Sequence, residues 1–166
     1  MKNIIIDSAM KSINKIQDKD IPEIISIHRE CIIKTNFDYY HEEVINEWVE
    51  QVTAENVKSQ LANSVWEKLS VNNEIVGFCQ YDLENQELYQ IQIRPKYQSK
   101  GYGKFLYKHI EGEFLKNNSR EISLFSTLNA KGFYENMGFK IKKKVQFPLN
   151  NVKLEMYEMR KDLSEN

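Results

Sequence analysis

Between residues 86 and 126 the chain switches from a strand pattern to a helical one and back, and this step constrains the fold more than any other feature. The run ELYQIQIR, residues 87–94, reads as a strand that Pro95 ends. Residues 101–117 then carry Tyr102, Phe105, Leu106, Ile110 and Phe114 on one helical face. EISLFS, residues 121–126, is apolar on both faces, as a covered parallel strand should be. Strand, helix and strand in this order predict a right-handed parallel crossover. The chain therefore needs a sheet with a helix laid on its face.

The flanking patterns extend that sheet. VWEKLSV and EIVGFCQYDL are joined by Asn72-Asn73, a two-residue hairpin turn, and a second turn near Glu84-Asn85 leads into the 87–94 strand. SINKI, residues 12–16, reads as a short strand. Asp20 is the expected N-cap of a helix with Pro22 and Glu23 in its first turn, and Ile21, Ile24, Ile25, Ile27 and His28 begin a stripe that reaches about Ile33. Val44, Ile45 and Trp48 have helical spacing, and a further short helix covers roughly 54–62. After the crossover, NAKGFYENM predicts a short helix stopped by Gly138. Phe139, Ile141, Val145 and Phe147 then alternate with polar residues, opposite Val152, Leu154 and Met156, as a last hairpin closed by a loop at 148–151. The order is β–α–α–α–β–β–β–α–β–α–β–β, an α+β arrangement with a mixed sheet and helices on its faces.

The totals fit one domain over residues 1–166, with a loose start at 1–10 and a tail at 161–166. A formal net charge of −1 supplies no global attraction to nucleic acid or anionic lipid. No apolar run approaches the roughly 20 residues that span a bilayer. Cys31 and Cys79 are too few for a disulfide framework or a metal set and read as buried thiols, so the expected location is cytoplasmic and no metal is expected.

Between the 87–94 strand and its helix lies Gln98-Ser99-Lys100-Gly101-Tyr102-Gly103. N–H groups at a helix start lack partners and the helix dipole adds positive potential there. An anion can collect several hydrogen bonds at such a place if no Cβ blocks it, and Gly101 and Gly103 remove that obstruction while Lys100 and Lys104 add charge. The turn reads as a pyrophosphate cradle or as a tight strand-to-helix connection. It is neither a Walker A loop, G-x-x-x-x-G-K-[ST], nor a G-x-G-x-x-G dinucleotide turn, since Leu106 stands where the last Gly belongs.

This stretch resembles motif A of the GNAT superfamily of acyl-CoA-dependent N-acetyltransferases, [QR]-x-x-G-x-[GA], with Gln98, Gly101 and Gly103 matching and Ile91, Ile93 and Pro95 preceding at the expected offset. LNAKGFYENMGF resembles motif B, A-x-x-F-Y-x-x-x-G-F, through Ala130, Phe133, Tyr134, Gly138 and Phe139. NEIVGFCQY is similar to the hairpin strand before motif A, and the likeness covers about residues 12–160. It implies a mostly antiparallel sheet of six or seven strands split into a V and flanked by about four helices. It further implies acetyl-CoA as cosubstrate: pantetheine on the backbone near Ile91 and Ile93, and phosphates on the amides of Gln98, Ser99, Lys100, Gly101, Tyr102, Gly103 and Lys104.

The implied reaction is direct attack of a primary amine of a small molecule on the thioester, within a ternary complex. The ammonium, with a pKa of about 10.4, must first lose a proton. The resemblance makes Tyr134 the acid for the departing thiolate, although Ala130, Phe133, Tyr134 and Met137 also fit a core stripe. Glu87 precedes Gly101 at the spacing of the catalytic Glu in histone-type members and is the candidate base; the other reading is an exposed strand-start Glu. Asn129 either binds coenzyme A or caps its helix, since Thr127 holds the position usual for Asn. Gln90 and Gln92 share the strand face opposite Glu87 unless a bulge changes the parity.

For the acceptor side, the segment NFDYYHEEVINEW offers Tyr39, Tyr40, His41 and Trp48 beside the cleft, with Gln90 from the strand. A similar stretch occurs in prokaryotic members of unassigned substrate. Aromatic walls with carboxylates suit a cationic amine, and the same aromatics could serve only to cap the core. The stripe Lys140, Lys142, Lys143 and Lys144 protects a sheet edge or meets nucleic acid. Two other functions fit the same motifs: a toxin acetylating aminoacyl-tRNA, which needs a basic surface, and a non-catalytic acyl-CoA-binding module, which needs neither Glu87 nor Tyr134. The protein is a monomer or a homodimer.

Overall fold

The computed structural model describes residues 9–164. The strands are β1 (Lys11–Lys15), β2 (Val65–Val71), β3 (Glu74–Asp82), β4 (Glu87–Ile93), β5 (Glu121–Ser126), β6 (Lys140–Leu149) and β7 (Val152–Asp162). The helices are α1 (Ile21–Thr35), α2 (Glu42–Gln51), α3 (Ala54–Gln60), α4 (Tyr102–Lys116) and α5 (Lys131–Asn136). The element order read from the sequence holds. One sheet runs β1-β2-β3-β4-β5-β7-β6, antiparallel except for the β4–β5 pair. That parallel pair is short: only Glu87 and Ser123 are in register, and Ser123 donates its N–H to Gln86 O at 2.9 Å. Beyond this point β4 and β5 part, and the sheet opens.

Each face of the sheet is covered because each carries its own apolar set. On one face α4 buries Leu106, Tyr107, Ile110 and Phe114 against Cys79, Tyr81, Leu88, Ile122 and Met159. On the other, Ile24, Ile27 and Cys31 of α1 and Val57 of α3 meet Trp66 and Phe78, whose rings stack at 5.8 Å. Each such apolar side chain contributes about 1.5–3 kcal/mol on burial.

Several local expectations change. Phe105 is 39% exposed, and Tyr107 takes its place in the α4 stripe, its hydroxyl bonded to Glu111. Asp20 stands at the N-cap position of α1, as expected, but its side chain makes no capping hydrogen bond. Its carboxylate accepts from the Gln17 N–H and from Lys68, both at 2.8 Å, tying the start of α1 to β2. Ala130, not Asn129, stands at the start of α5. On β6 the register shifts between Ile141 and Lys143, so the expected alternation breaks and Ile141 is exposed. Two lysines of the stripe face glutamates of β7, Lys144–Glu155 at 2.9 Å and Lys143–Glu158 at 3.9 Å.

The ends differ from expectation as well. Residues 161–163 are no tail: β7 runs to Asp162, and Leu163 is buried with its N–H on Arg120 O. At the start, Met10 exchanges hydrogen bonds with Asn72, so the loose start does not include it; residues 1–8 and 165–166 lie outside the described residues.

Candidate active site

The opening between β4 and β5 is a cleft of about 780 Å3, within the range usual for small-molecule sites. Its β4 wall is shaped by a bulge. Gln80 pairs with Gln90 but Tyr81 pairs with Leu88, so Tyr89 is one residue too many. The extra residue reverses parity. Leu88, Ile91 and Ile93 face the α4 core, while Glu87, Gln90 and Gln92 share the opposite face. The sequence alternation alone had separated Glu87 from the two glutamines.

Main-chain groups of β4 are also divided. Arg94 donates its N–H to Val76 O at 2.8 Å. Alternation along an antiparallel ladder then turns Gln92 and Gln90 toward β3 and leaves Ile91 and Ile93 facing the cleft. The Ile93 carbonyl is already taken, by Cys31 Sγ at 3.1 Å and Gln98 Nε2 at 2.9 Å. The Ile91 N–H and C=O and the Ile93 N–H are the groups left to pair with an extended ligand.

The turn before α4 holds the predicted cradle. The Gln98 N–H is bonded to Pro95 O, and its side chain reaches Ile93 O and Thr35 Oγ1, so Gln98 anchors the turn. From Ser99 to Lys104 no main-chain N–H has a protein acceptor among the described residues. Ser99 and Gly101 have φ of +62° and +87°, which folds these amides into a concave nest. A Cβ on Gly101 would meet nothing within 4 Å, whereas one on Gly103 would stand 3.4 Å from the Phe133 ring. Gly101 thus serves the left-handed turn that shapes the nest, and Gly103, which also lines the cleft, lets α4 approach Phe133 of α5. Asn129 supplies a second sign of a ligand: its Oδ1 is buried without a partner, and the residue lines the cleft. These free donors and this orphan acceptor fit a diphosphate-bearing coenzyme with an amide chain.

Tyr134 also lines the cleft. Its ring is 7% exposed and meets Phe133 and Phe139 edge-on. Its hydroxyl has no hydrogen-bond partner among the described residues, and burial raises its pKa, keeping it protonated.

The five residues predicted for the acceptor do not come together. Trp48 and Gln90 line the cleft; Tyr39, Tyr40 and His41 do not. Tyr39 is 54% exposed. The Tyr40 hydroxyl donates to Glu155 O at 2.7 Å and accepts the Leu128 N–H at 3.0 Å, pinning the chain before α2 to β7. Glu87 stands in an adjoining recess of about 270 Å3 with Tyr89, Phe125, Phe147 and Met156. Tyr89, Phe125 and Met156 also line the main cleft, so the recess and the cleft share these three walls. Burial and the nearby Asp82 carboxylate raise the Glu87 pKa above the ordinary carboxylate value.

The wall that sequence reasoning missed is α1. His28, Cys31 and Thr35 all line the cleft. Their spacing of three and four residues was the available signal, hidden inside an apolar stripe. Burial pushes the His28 imidazole down to about 4, so the ring is neutral near pH 7, and pushes the Cys31 thiol up to about 12, so it is no nucleophile. Asn36, at the end of α1, is a further lining residue, only 6% exposed.

The chain matches the family described as "Acetyltransferase (GNAT) domain" over residues 36–163. Among solved structures it is similar to a GCN5-related N-acetyltransferase from Rhodopseudomonas palustris, with 17% identity, 93% of this chain and 96% of that chain covered, and a TM-score of 0.87. The PaiA N-acetyltransferase of Thermoplasma acidophilum, in complex with coenzyme A, gives 24% identity, 92% and 99% coverage and a TM-score of 0.74. The ribosomal-protein-S18-alanine N-acetyltransferase of Escherichia coli gives 18%, 93%, 95% and 0.67. No curated protein sequence matches.

Proposed function

The chain belongs to the GNAT acetyltransferase family of acetyl-CoA-dependent N-acetyltransferases, and from that premise we propose that it acetylates a primary amine of a small molecule. The observation that carries this reading is the run of unpartnered N–H groups from Ser99 to Lys104, at the mouth of a cleft that also holds Tyr134. Acetyl-CoA would supply the activated acyl group. The 99–104 amides would hold its phosphates, and Asn129 Oδ1, the Ile91 C=O and the Ile93 N–H its amide chain.

The remaining tasks fall to two side chains and one main-chain group. Tyr134 keeps its proton at neutral pH and gives it to the leaving sulfur. Glu87, whose raised pKa brings it closer to neutrality, takes the proton from the amine through water in the recess it shares with Tyr89. A free main-chain N–H at Ile91 stabilises the oxygen that gains charge.

The test is direct. At acetyl-CoA one hundred times its Kd, stabilisation of about 2.7 kcal/mol is expected as a raised Tm. An amine library with thiol-release detection then identifies acceptors. An unchanged Tm at that concentration rejects the cofactor assignment, and a raised Tm with no amine-dependent thiol release rejects catalysis.

Glu87→Gln separates two effects of one group. Folding raises the Glu87 pKa, so its proton favours the folded state, and ionisation above that pKa costs stability. The Gln variant is expected to show a higher Tm than the parent at pH 7, an advantage that disappears below the ordinary carboxylate range. Its kcat/KM falls by about 100-fold and loses the acid limb set by Glu87. A lower Tm at pH 7 contradicts the raised pKa, and an intact acid limb removes Glu87 from the base role.

A further inference from the structure

A row of amides crosses the sheet and ends in the cleft. Gln80 of β3 is 5% exposed, and its Nε2 donates to Gln60 Oε1 at 2.9 Å and to Ser64 Oγ at 3.0 Å. Gln90 Nε2 donates to Gln80 Oε1 at 2.9 Å, and Gln92 Nε2 to Gln90 Oε1 at 3.3 Å. The direction of the row follows from its far end. The Ser64 hydroxyl donates to Gln60 O, and the Trp66 indole, which can only donate, gives its proton to Ser64 Oγ. Ser64 must therefore accept from Gln80, which turns Gln80 Oε1 to Gln90 and, in turn, Gln90 Oε1 to Gln92. The cleft end keeps one acceptor, Gln92 Oε1, together with the second N–H of Gln92 Nε2.

Its surroundings are polar but uncharged. Among the described residues no Asp or Glu lines the main cleft, and the one cation there, Lys104, belongs to the 99–104 nest. On the same side stand the His28 ring and Asn36, whose side chain has no protein partner among the described residues. The carboxylates next in the chain to lining residues are paired: Glu30, beside Cys31, with Arg94 and Lys34, and Glu155, between Leu154 and Met156, with Lys144. Glu87 lies off the cleft in its recess.

We infer that the acceptor half of the cleft is built for an apolar α-amino amide, held through its amine by Gln92 Oε1 and through its amide by Asn36, and is built against polyamines. This rests on the acetyltransferase reading above. An α-amine has a pKa of about 8, against about 10.4 for an alkylamine, so at pH 8 much of it enters as the free base. A second ammonium would lose its hydration to a site that offers amide dipoles and no counter-charge. Trp48, Phe125 and Met156 give the apolar side chain a wall.

The experiment titrates leucinamide, spermidine and glucosamine into protein saturated with coenzyme A, by calorimetry, and measures kcat/KM for each with acetyl-CoA at pH 8. Leucinamide is expected to bind, and to exceed spermidine by about 100-fold in kcat/KM. Spermidine or glucosamine equal to leucinamide overturns the inference. Gln80→Met, a change outside the cleft lining, frees Gln90 and Gln92. It is expected to raise the leucinamide KM about 10-fold, keep kcat within about twofold, and leave the acetyl-CoA Kd unchanged. A lowered Tm with an unchanged KM assigns the row to stability alone and overturns its role in recognition. Failure of acetyl-CoA to bind sinks the acetyltransferase reading itself, whereas coenzyme binding without preference among the amines sinks only this inference.

Discussion

Tyr134→Phe is expected to lower kcat by about 100-fold or more while the acetyl-CoA Kd stays within about twofold. The size follows from what the hydroxyl does and does not touch. It has no protein hydrogen bond among the described residues, so its removal leaves no buried partner stranded. The ring contacts with Phe133 and Phe139, at 5.1 and 5.6 Å between centroids, survive in Phe. Stability is therefore expected to stay the same or rise slightly. A merely packed Tyr134 would give the same Tm and an unchanged kcat, so turnover alone separates the two roles. The pH dependence adds a check. Because burial raises the phenol pKa, loss of its proton begins above the ordinary tyrosine range. The parent should hold kcat well past pH 9, and the Phe variant should show no alkaline limb from this group.

How much of this site the sequence disclosed depended on how local each feature was. The 98–104 turn was legible because helix-start geometry and glycine conformation are properties of neighbouring residues. Tyr134 was legible through its motif, though the same spacing also described a core stripe, and the structure gives it a buried ring together with a place in the cleft lining. Features that depend on two distant segments were not legible. The bulge at Tyr89 is a matter of register between β3 and β4, and it moved Glu87 to the face of Gln90 and Gln92. Tyr40 was read as a wall for the acceptor because it is aromatic, but its hydroxyl finds Glu155 and Leu128 far along the chain. The α1 wall was hidden for another reason: His28 and Cys31 sit in a stripe whose remaining members are core isoleucines, and periodicity alone does not tell a cleft from a core. The carboxylates of α2, read as partners for a cationic amine, do not line the cleft.

Gly101→Val is the variant expected to reduce coenzyme affinity most. Gly101 has φ of +87°, a conformation that costs other L-residues about 1–2 kcal/mol and β-branched ones more. Protein atoms offer no steric objection, since nothing lies within 4 Å of the added Cβ. The effect comes instead through the backbone: a branched residue holds this φ only with strain, so the turn that gathers the 99–104 amides is expected to open. If two charge-assisted hydrogen bonds are lost, the acetyl-CoA Kd should rise by about 100-fold. A general disturbance of the fold could weaken binding too, and acetyl-pantetheine separates the two causes because it lacks the diphosphate. Gly101→Val should leave its weak affinity nearly unchanged, so that the advantage of acetyl-CoA over acetyl-pantetheine collapses. Gly103→Ala, whose Cβ meets Phe133 at an ordinary contact distance of 3.4 Å, should preserve that advantage. Equal losses for both ligands in Gly101→Val would mean that the amides from Ser99 to Lys104 do not hold phosphate, and the assignment of this corner would have to be abandoned.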